Sequence, residues 1–276
     1  MKFQIVSIAI VFVTALAAHA QVLPPDSQEA ETRDKIELPE SSPSSPPLST
    51  DDAGTPGAYG VEVNLIESSD SSVGGQNIST GIDANFGIGD QVQLRYSKES
   101  FKQKVRSEPD FNGYGASSVA VKWRFYNNSS QTFKLAIYPS YQFDDETHPV
   151  GTASEGRNIY VPLIAAFTFG RSTLIANLGF TKNLDYVDQR SSFSSLALGH
   201  ALSETLRIST ELVSQKSLGG EAITWGLGFV KEIFPNEKSN YETAFFGSVG
   251  RNVGWTIDQQ DHLNVLFGIT IAHKGK

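Results

Sequence analysis

The stretch Ile78-Ser79-Thr80-Gly81-Ile82-Asp83-Ala84-Asn85-Phe86-Gly87-Ile88 sets Ile78, Ile82, Ala84, Phe86 and Ile88 on one side and Ser79, Gly81, Asp83, Asn85 and Gly87 on the other. A repeat of two residues is the signature of a strand with one apolar and one polar face. The same rhythm returns in Val119-Ala120-Val121-Lys122-Trp123-Arg124-Phe125 and in Ile223-Thr224-Trp225-Gly226-Leu227-Gly228-Phe229. It closes the chain in Leu263-Asn264-Val265-Leu266-Phe267-Gly268-Ile269-Thr270-Ile271.

Working outward from these runs, the region from Tyr59 onward divides into twelve strands. They are expected near 59–66, 77–88, 91–98, 116–126, 132–143, 158–169, 172–182, 193–202, 205–215, 222–232, 240–251 and 262–272. Most are as long as the roughly 9–11 residues that cross a bilayer when tilted. Shorter links at Gly89-Asp90, Asn127 to Gln131, Gly170-Arg171, Ser203-Glu204 and Ile233 to Ser239 contrast with longer polar links at 67–76, 99–115, 144–157, 183–192 and 252–261. The 216–221 link is of intermediate length and weakens that contrast. Short turns at one end and long loops at the other are the habit of outer-membrane barrels. The expectation is an all-β, antiparallel, up-and-down transmembrane β-barrel, and an even strand count puts both barrel ends on one side, in the periplasm. A secreted soluble sandwich is the weaker alternative.

Two further patterns fit hydrocarbon outside and water inside. Aromatics collect at strand ends: Tyr59, Phe86, Phe125, Phe133, Phe169, Phe229 and Tyr241 at the short-turn end, and Tyr96, Phe143, Phe180 and Phe193 at the other. Two such girdles suit the two membrane–water interfaces. In the apolar register the only bases are Lys231 and Arg251, each at a strand end, where a long side chain reaches water. His200, near a short turn, reads as interfacial.

The 276 residues carry 22 Lys and Arg against 30 Asp and Glu, a formal charge of −8, and no Cys. That balance argues against a nucleic-acid partner. The lack of Cys excludes disulfides, thiol catalysis and a lipidated N-terminal Cys. Residues 1–20 have the layout of an export signal: Lys2, an apolar run from Ile5 to Leu16, and Ala18-His19-Ala20 as a cleavage site. Residues 21–55 are rich in Pro, Ser and acid and lack aromatics, and read as a disordered periplasmic segment. A plug folded into the pore, or a partner-binding tail, is the alternative for this segment. Residues 56–276 are then the barrel.

The polar register should face the lumen. Its bases are Arg95, Lys122, Arg124 and Lys134, and its acids Glu62, Asp83, Glu211 and Glu242. Opposed across a lumen, they would set up a transverse field that attracts and orients small anions or polar solutes. The competing reading is an interior closed by ion pairs and hydrogen bonds, in a barrel that acts through its loops or its tail. Twelve strands lie between the roughly eight that side chains fill and the roughly 16–18 that leave an open channel. No H-E-x-x-H, G-x-S-x-G or phosphate-binding Gly motif is present, so no catalytic residue, metal site or cofactor is expected. The expected partners are outer-membrane lipid, small solutes and the barrel-assembly machinery.

The run Gly54-Thr55-Pro56-Gly57 followed by Gly60-Val61-Glu62-Val63-Asn64 resembles the opening of the Gram-negative MetA-pathway of phenol degradation family. Asn85-Phe86-Gly87-Ile88-Gly89-Asp90-Gln91-Val92-Gln93-Leu94, Val119 to Phe125 and Tyr138-Pro139 extend that resemblance. It implies an outer-membrane barrel that passes small compounds, aromatic ones among them, and it carries over no catalytic residues. The chain departs from the usual aromatic C-terminus of such barrels, ending in Ile271-Ala272-His273-Lys274-Gly275-Lys276.

Overall fold

The computed structural model describes residues 48–72, 74–105, 109–144, 156–186, 189–218, 220–233, 239–255 and 262–274. The export signal, the first part of the acidic segment and His148 lie outside the described residues. All strands belong to one antiparallel sheet that closes on itself as a barrel of twelve. They are β1 (Val61–Ser72), β2 (Gly75–Ile88), β3 (Val92–Val105), β4 (Phe111–Tyr114 and Ser118–Asn127), β5 (Phe133–Ile137 and Ser140–Gln142), β6 (Asn158–Phe169), β7 (Ser172–Asn183), β8 (Arg190–Ala201), β9 (Leu206–Ser217), β10 (Gly220–Ile233), β11 (Tyr241–Trp255) and β12 (Leu263–His273). Closure is made by β1 against β12, in register from Val61 opposite His273 to Ser71 opposite Leu263. With no free edge, no row of backbone N–H and C=O groups is left bare to lipid, where each would cost several kcal/mol, on the order of 2–7.

Alternation sets the two faces. Val121, Trp225 and Phe267 are 43%, 42% and 44% exposed on the outer wall, in a belt with Leu94, Leu198 and Ile269. An apolar surface that continuous, wrapping the whole sheet, is stable only against hydrocarbon. Their sequence neighbours Lys122, Gly226 and Gly268 face inward. His200 is exposed beside a turn, its Nδ1 hydrogen-bonded to Ser172 Oγ at 2.9 Å. Lys231 donates to Thr205 Oγ1 at the rim.

Expectations at the loop end need correction. The polar stretches 67–76, 99–115 and 216–221 are not wholly loops: β1 runs to Ser72, paired with Gly75, β3 runs to Val105, with Phe111–Tyr114 paired beside it, and β9 runs to Ser217, paired with Gly220. Ser, Gln and Asn suit strands that rise past the membrane, because both faces there meet water. Lys231 and Arg251 are also not the only bases in the outward register, since Lys98 and Lys182 share it at their strands' loop ends. Phe193 does not join the outer girdle. Its register turns it inward, where its ring meets that of Tyr160 edge-on at 6.1 Å.

β5 is interrupted at Tyr138-Pro139, and the cause is in the sequence. Pro139 has no N–H to give the ladder. Pro162, on the facing strand β6, has none either, although its carbonyl accepts from Tyr138 N at 3.1 Å. The Pro139 carbonyl accepts from Val121 N on β4 at 3.0 Å. N–H and C=O of one antiparallel residue point to the same neighbour, so Pro139 lacks its donor towards β4 and Pro162 lacks its donor towards β5. The ladder is thus thinned on both sides of Tyr138, whose ring is buried in the lumen.

The belt predicts a penalty that depends on depth. Phe267→Arg, at the middle of β12, should destabilise the folded barrel by about 2–4 kcal/mol, whereas the same change near an interface should cost at most about 1. Urea titration in lipid vesicles, read by the mobility difference between folded and unfolded chain, checks this.

Candidate functional site: a lumen filled by the residues that precede the barrel

The inner wall is polar from β12 to β3. Thr270 Oγ1 donates to Asn64 Oδ1 at 2.6 Å, and Asn64 Nδ2 to Glu62 Oε1 at 2.8 Å. Asn85 Nδ2 donates to Asp83 Oδ1 at 2.6 Å, and Gln93 Nε2 to Asn85 Oδ1 at 2.5 Å. Arg95 forms an ion pair with Asp83. Gln93 also reaches the Tyr138 hydroxyl, at 3.3 Å. The wall from β4 to β7 is different: Ala120, Ala136, Ile164 and Ala166 form, with Tyr138, a small apolar cluster.

Between these two walls runs the chain just ahead of the barrel. Ser49 N and Thr50 N donate to the Glu211 carboxylate at 3.1 and 3.0 Å. Thr50 Oγ1 adds a third bond to Glu211, at 2.8 Å, and lies 2.9 Å from Ser195 Oγ. Ala53 is fully buried in the apolar cluster. Lys122 is fully buried too; its ammonium donates to Gly54 O at 3.2 Å, lies 4.0 Å from Asp52 Oδ1, and sits 4.6 Å over the Tyr138 ring. A buried ammonium needs such company, since desolvation without it would cost several kcal/mol, roughly 3–5 on removal of a partner.

The segment leaves the lumen through a tight turn. Gly57 has φ +79° and Tyr59 φ +62°. Gly60 N donates to Gly57 O at 3.1 Å, Gly87 N to Gly60 O at 2.8 Å, and Tyr59 N to Gly87 O at 3.1 Å. Gly87 must be glycine, because a Cβ there would stand 1.7 Å from Gly57 O. Thr55 Oγ1 fastens the turn to Asp90 O at 2.8 Å, beside the bond from Arg124 to the same carbonyl.

The eight charges expected in the lumen therefore have distinct places. Arg95 and Asp83 pair on neighbouring strands. Lys122 and Glu211 hold the inserted segment from opposite sides. Glu62 is buried in the polar wall, with Oε2 unpartnered among the described residues. Lys134 acts electrostatically on Asp52. Arg124 serves the β2–β3 turn, and Glu242 lies at the rim with Lys274, 2.5 Å away. They do not form two rows facing across water. Sequence reading held a plug as the alternative for residues 21–55 but named none of Thr50, Asp52, Ala53 and Gly54 as lumen residues. The signal for them was present: where the Pro/Ser run ends, Asp51-Asp52-Ala53-Gly54 supplies two acids, a methyl and a turn residue just before a lumen that holds buried bases.

No protein-family model matches the chain, and no curated protein matches it in sequence. Solved structures do. An outer-membrane channel from Pseudomonas putida F1 is similar over 80% of this chain and 97% of its own, at 10% identity and a TM-score of 0.56. The NanC porin is similar over 75% and 98%, at 7% identity and a TM-score of 0.56. The β-domain of the Bordetella autotransporter BrkA is similar over 79% and 100%, at 7% identity and a TM-score of 0.52. At these identities the likeness is one of fold: the chain has the architecture of outer-membrane barrels.

Two predictions test how the segment is held. A cysteine at Ala53→Cys, the only thiol in the chain, should react slowly with a water-soluble maleimide. Lys122→Met should speed labelling roughly 10–100-fold, the worth of a charged hydrogen bond of about 1.5–3 kcal/mol, and Glu211→Gln should act in the same direction. Gly87→Ala should also speed it, by displacing the exit turn, while the barrel still migrates as folded on a gel.

Proposed function

We propose that this chain is an outer-membrane channel for small solutes whose resting lumen is occupied by its own residues 49–54. The observation that carries the reading is how that segment is attached. It is held by wall side chains, Glu211 and Lys122 chiefly, and not by the backbone ladder that closes the barrel. It can leave without opening the sheet. Side-chain bonds of about 1–3 kcal/mol each exchange readily for water, whereas strand pairing between β1 and β12 does not.

The wall fits a mixed solute. One side offers Arg95, Lys122 and a ladder of amides to a charged or polar group, and the other offers Ala136, Ile164 and Ala166 to an apolar one. Small anionic or aromatic compounds have that character, which accords with the resemblance to the phenol-degradation family. Glu62 Oε2 and both amide atoms of Asn177 are buried without a described partner, the situation in which buried polar groups meet water or solute. Both ends of the barrel chain would then lie in the periplasm, so the segment enters from that side.

The density of buried polar groups also favours a second reading, a permanently closed barrel that serves as a structural or binding protein. Planar-bilayer recording separates the two. The full chain should show small, infrequent conductance, and a chain lacking residues 48–55 a conductance several-fold larger and steady. Silence in the shortened but folded chain would rule out the channel.

A further inference from the structure

A second site lies on the outside of the barrel, at the loop end of β7, β8 and β9. A concavity of about 780 Å³ opens there, lined by Phe180, Lys182, Arg190, Ser192, Lys216 and Leu218. The register makes the grouping. Lys182 stands directly opposite Arg190, and Ser192 stands between Phe180 and Lys216. The alternation that points Leu178, Leu196 and Leu212 at lipid points Lys182, Arg190 and Lys216 the same way, a few residues farther up. At about 3.3 Å per residue, the three cations sit just above the apolar belt, at headgroup height.

Like charges directly opposite on a sheet destabilise it, so the cluster calls for something to offset them. Among the described residues none of the three cations has an ion-pair or hydrogen-bond partner. The carboxylates nearby are committed. Asp185 is held by Arg157 through bonds to both its oxygens, and that guanidinium keeps its carboxyl down at about 2. Glu221, directly across from Lys216 on the same face, accepts from Ser214 Oγ at 3.0 Å and can offset at most one of the three positive charges. Basic side chains elsewhere on this rim are placed differently: Lys102 pairs with Asp110 at 2.9 Å, and Lys98 lies 5.8 Å over the Tyr114 ring. Phe180 and Leu218, 56% and 73% exposed, give the cleft an apolar floor continuous with the belt.

We infer that Lys182, Arg190 and Lys216 bind the phosphorylated headgroup of a membrane lipid, whose acyl chains lie along Phe180 and the belt below it. The occupant is a lipid and not free phosphate because the cations share one outward register with the hydrocarbon-facing leucines. The hydroxyl of Ser192, in the same outward register, is available to phosphate oxygens. This inference is independent of what the lumen carries.

The test uses the full chain in a zwitterionic detergent, titrated with diphosphoryl lipid A and followed by native mass spectrometry. The variant Lys182→Gln/Arg190→Gln/Lys216→Gln should bind roughly 100-fold more weakly, since each basic residue near a lipid surface contributes about a factor of five to ten. The matched variant Lys98→Gln/Lys102→Gln/Lys104→Gln should bind as the parent does. Single Lys216→Gln, with a smaller loss, covers the case in which the triple variant does not fold. Equal losses in both triple variants would mean diffuse attraction and overturn the site. So would full competition by millimolar inorganic phosphate, which would make it a free-anion site.

Discussion

Glu211 and Lys122 are two opposite charges buried in a barrel interior, and the conformation of the lumen depends on what they hold. Neither can stand alone there. Glu211 is satisfied by two backbone N–H groups and a hydroxyl of residues 49 and 50, and Lys122 by the Gly54 carbonyl and the Asp52 carboxylate. The strand wall supplies the fixed charges and the preceding segment supplies their partners. The barrel and its plug are thus one electrostatic unit built from a single stretch of chain, although only the barrel is tied together by its backbone.

Shape follows the same division. Where the segment passes, the wall is cut back to Ala120, Ala136 and Ala166, so that Ala53 fits against it. Where Phe246 fills the lumen instead, the facing residue is Gly268, whose added Cβ would lie 2.4 Å from the ring. Small residues inside this barrel mark the places where something else occupies the volume. The Tyr138-Pro139 break belongs to that pattern, since the interruption of β5 lets the ring lie beneath both Arg95 and Lys122.

Much of the fold was legible because membrane barrels impose a strict rule, in which a one-residue slip would expose the wrong face. Val121, Trp225 and Phe267 are on the outside for that reason alone. The rule weakens past the membrane, and there the reading failed: Ser68 to Ser72 and Lys216 to Ser217 are polar on both faces and look like loop. Phe193 misled because position along the strand was weighed above register. The site was half legible. The lumen residues follow from alternation, but alternation says nothing of what each side chain touches. Lys122 meets a residue 68 positions away and Glu211 one 161 away, and no local pattern encodes such a pairing. The segment that joins them has the composition of a linker until its last few residues.

Backbone hydrogen exchange on the detergent-solubilised full chain tests most directly whether residues 49–54 occupy the lumen. Protection of the Ser49 and Thr50 amides comparable to that of the barrel strands is predicted, with its loss in Glu211→Gln while β1 and β12 stay protected. Exchange of those two amides at the rate of a free peptide in the unaltered protein would contradict the account.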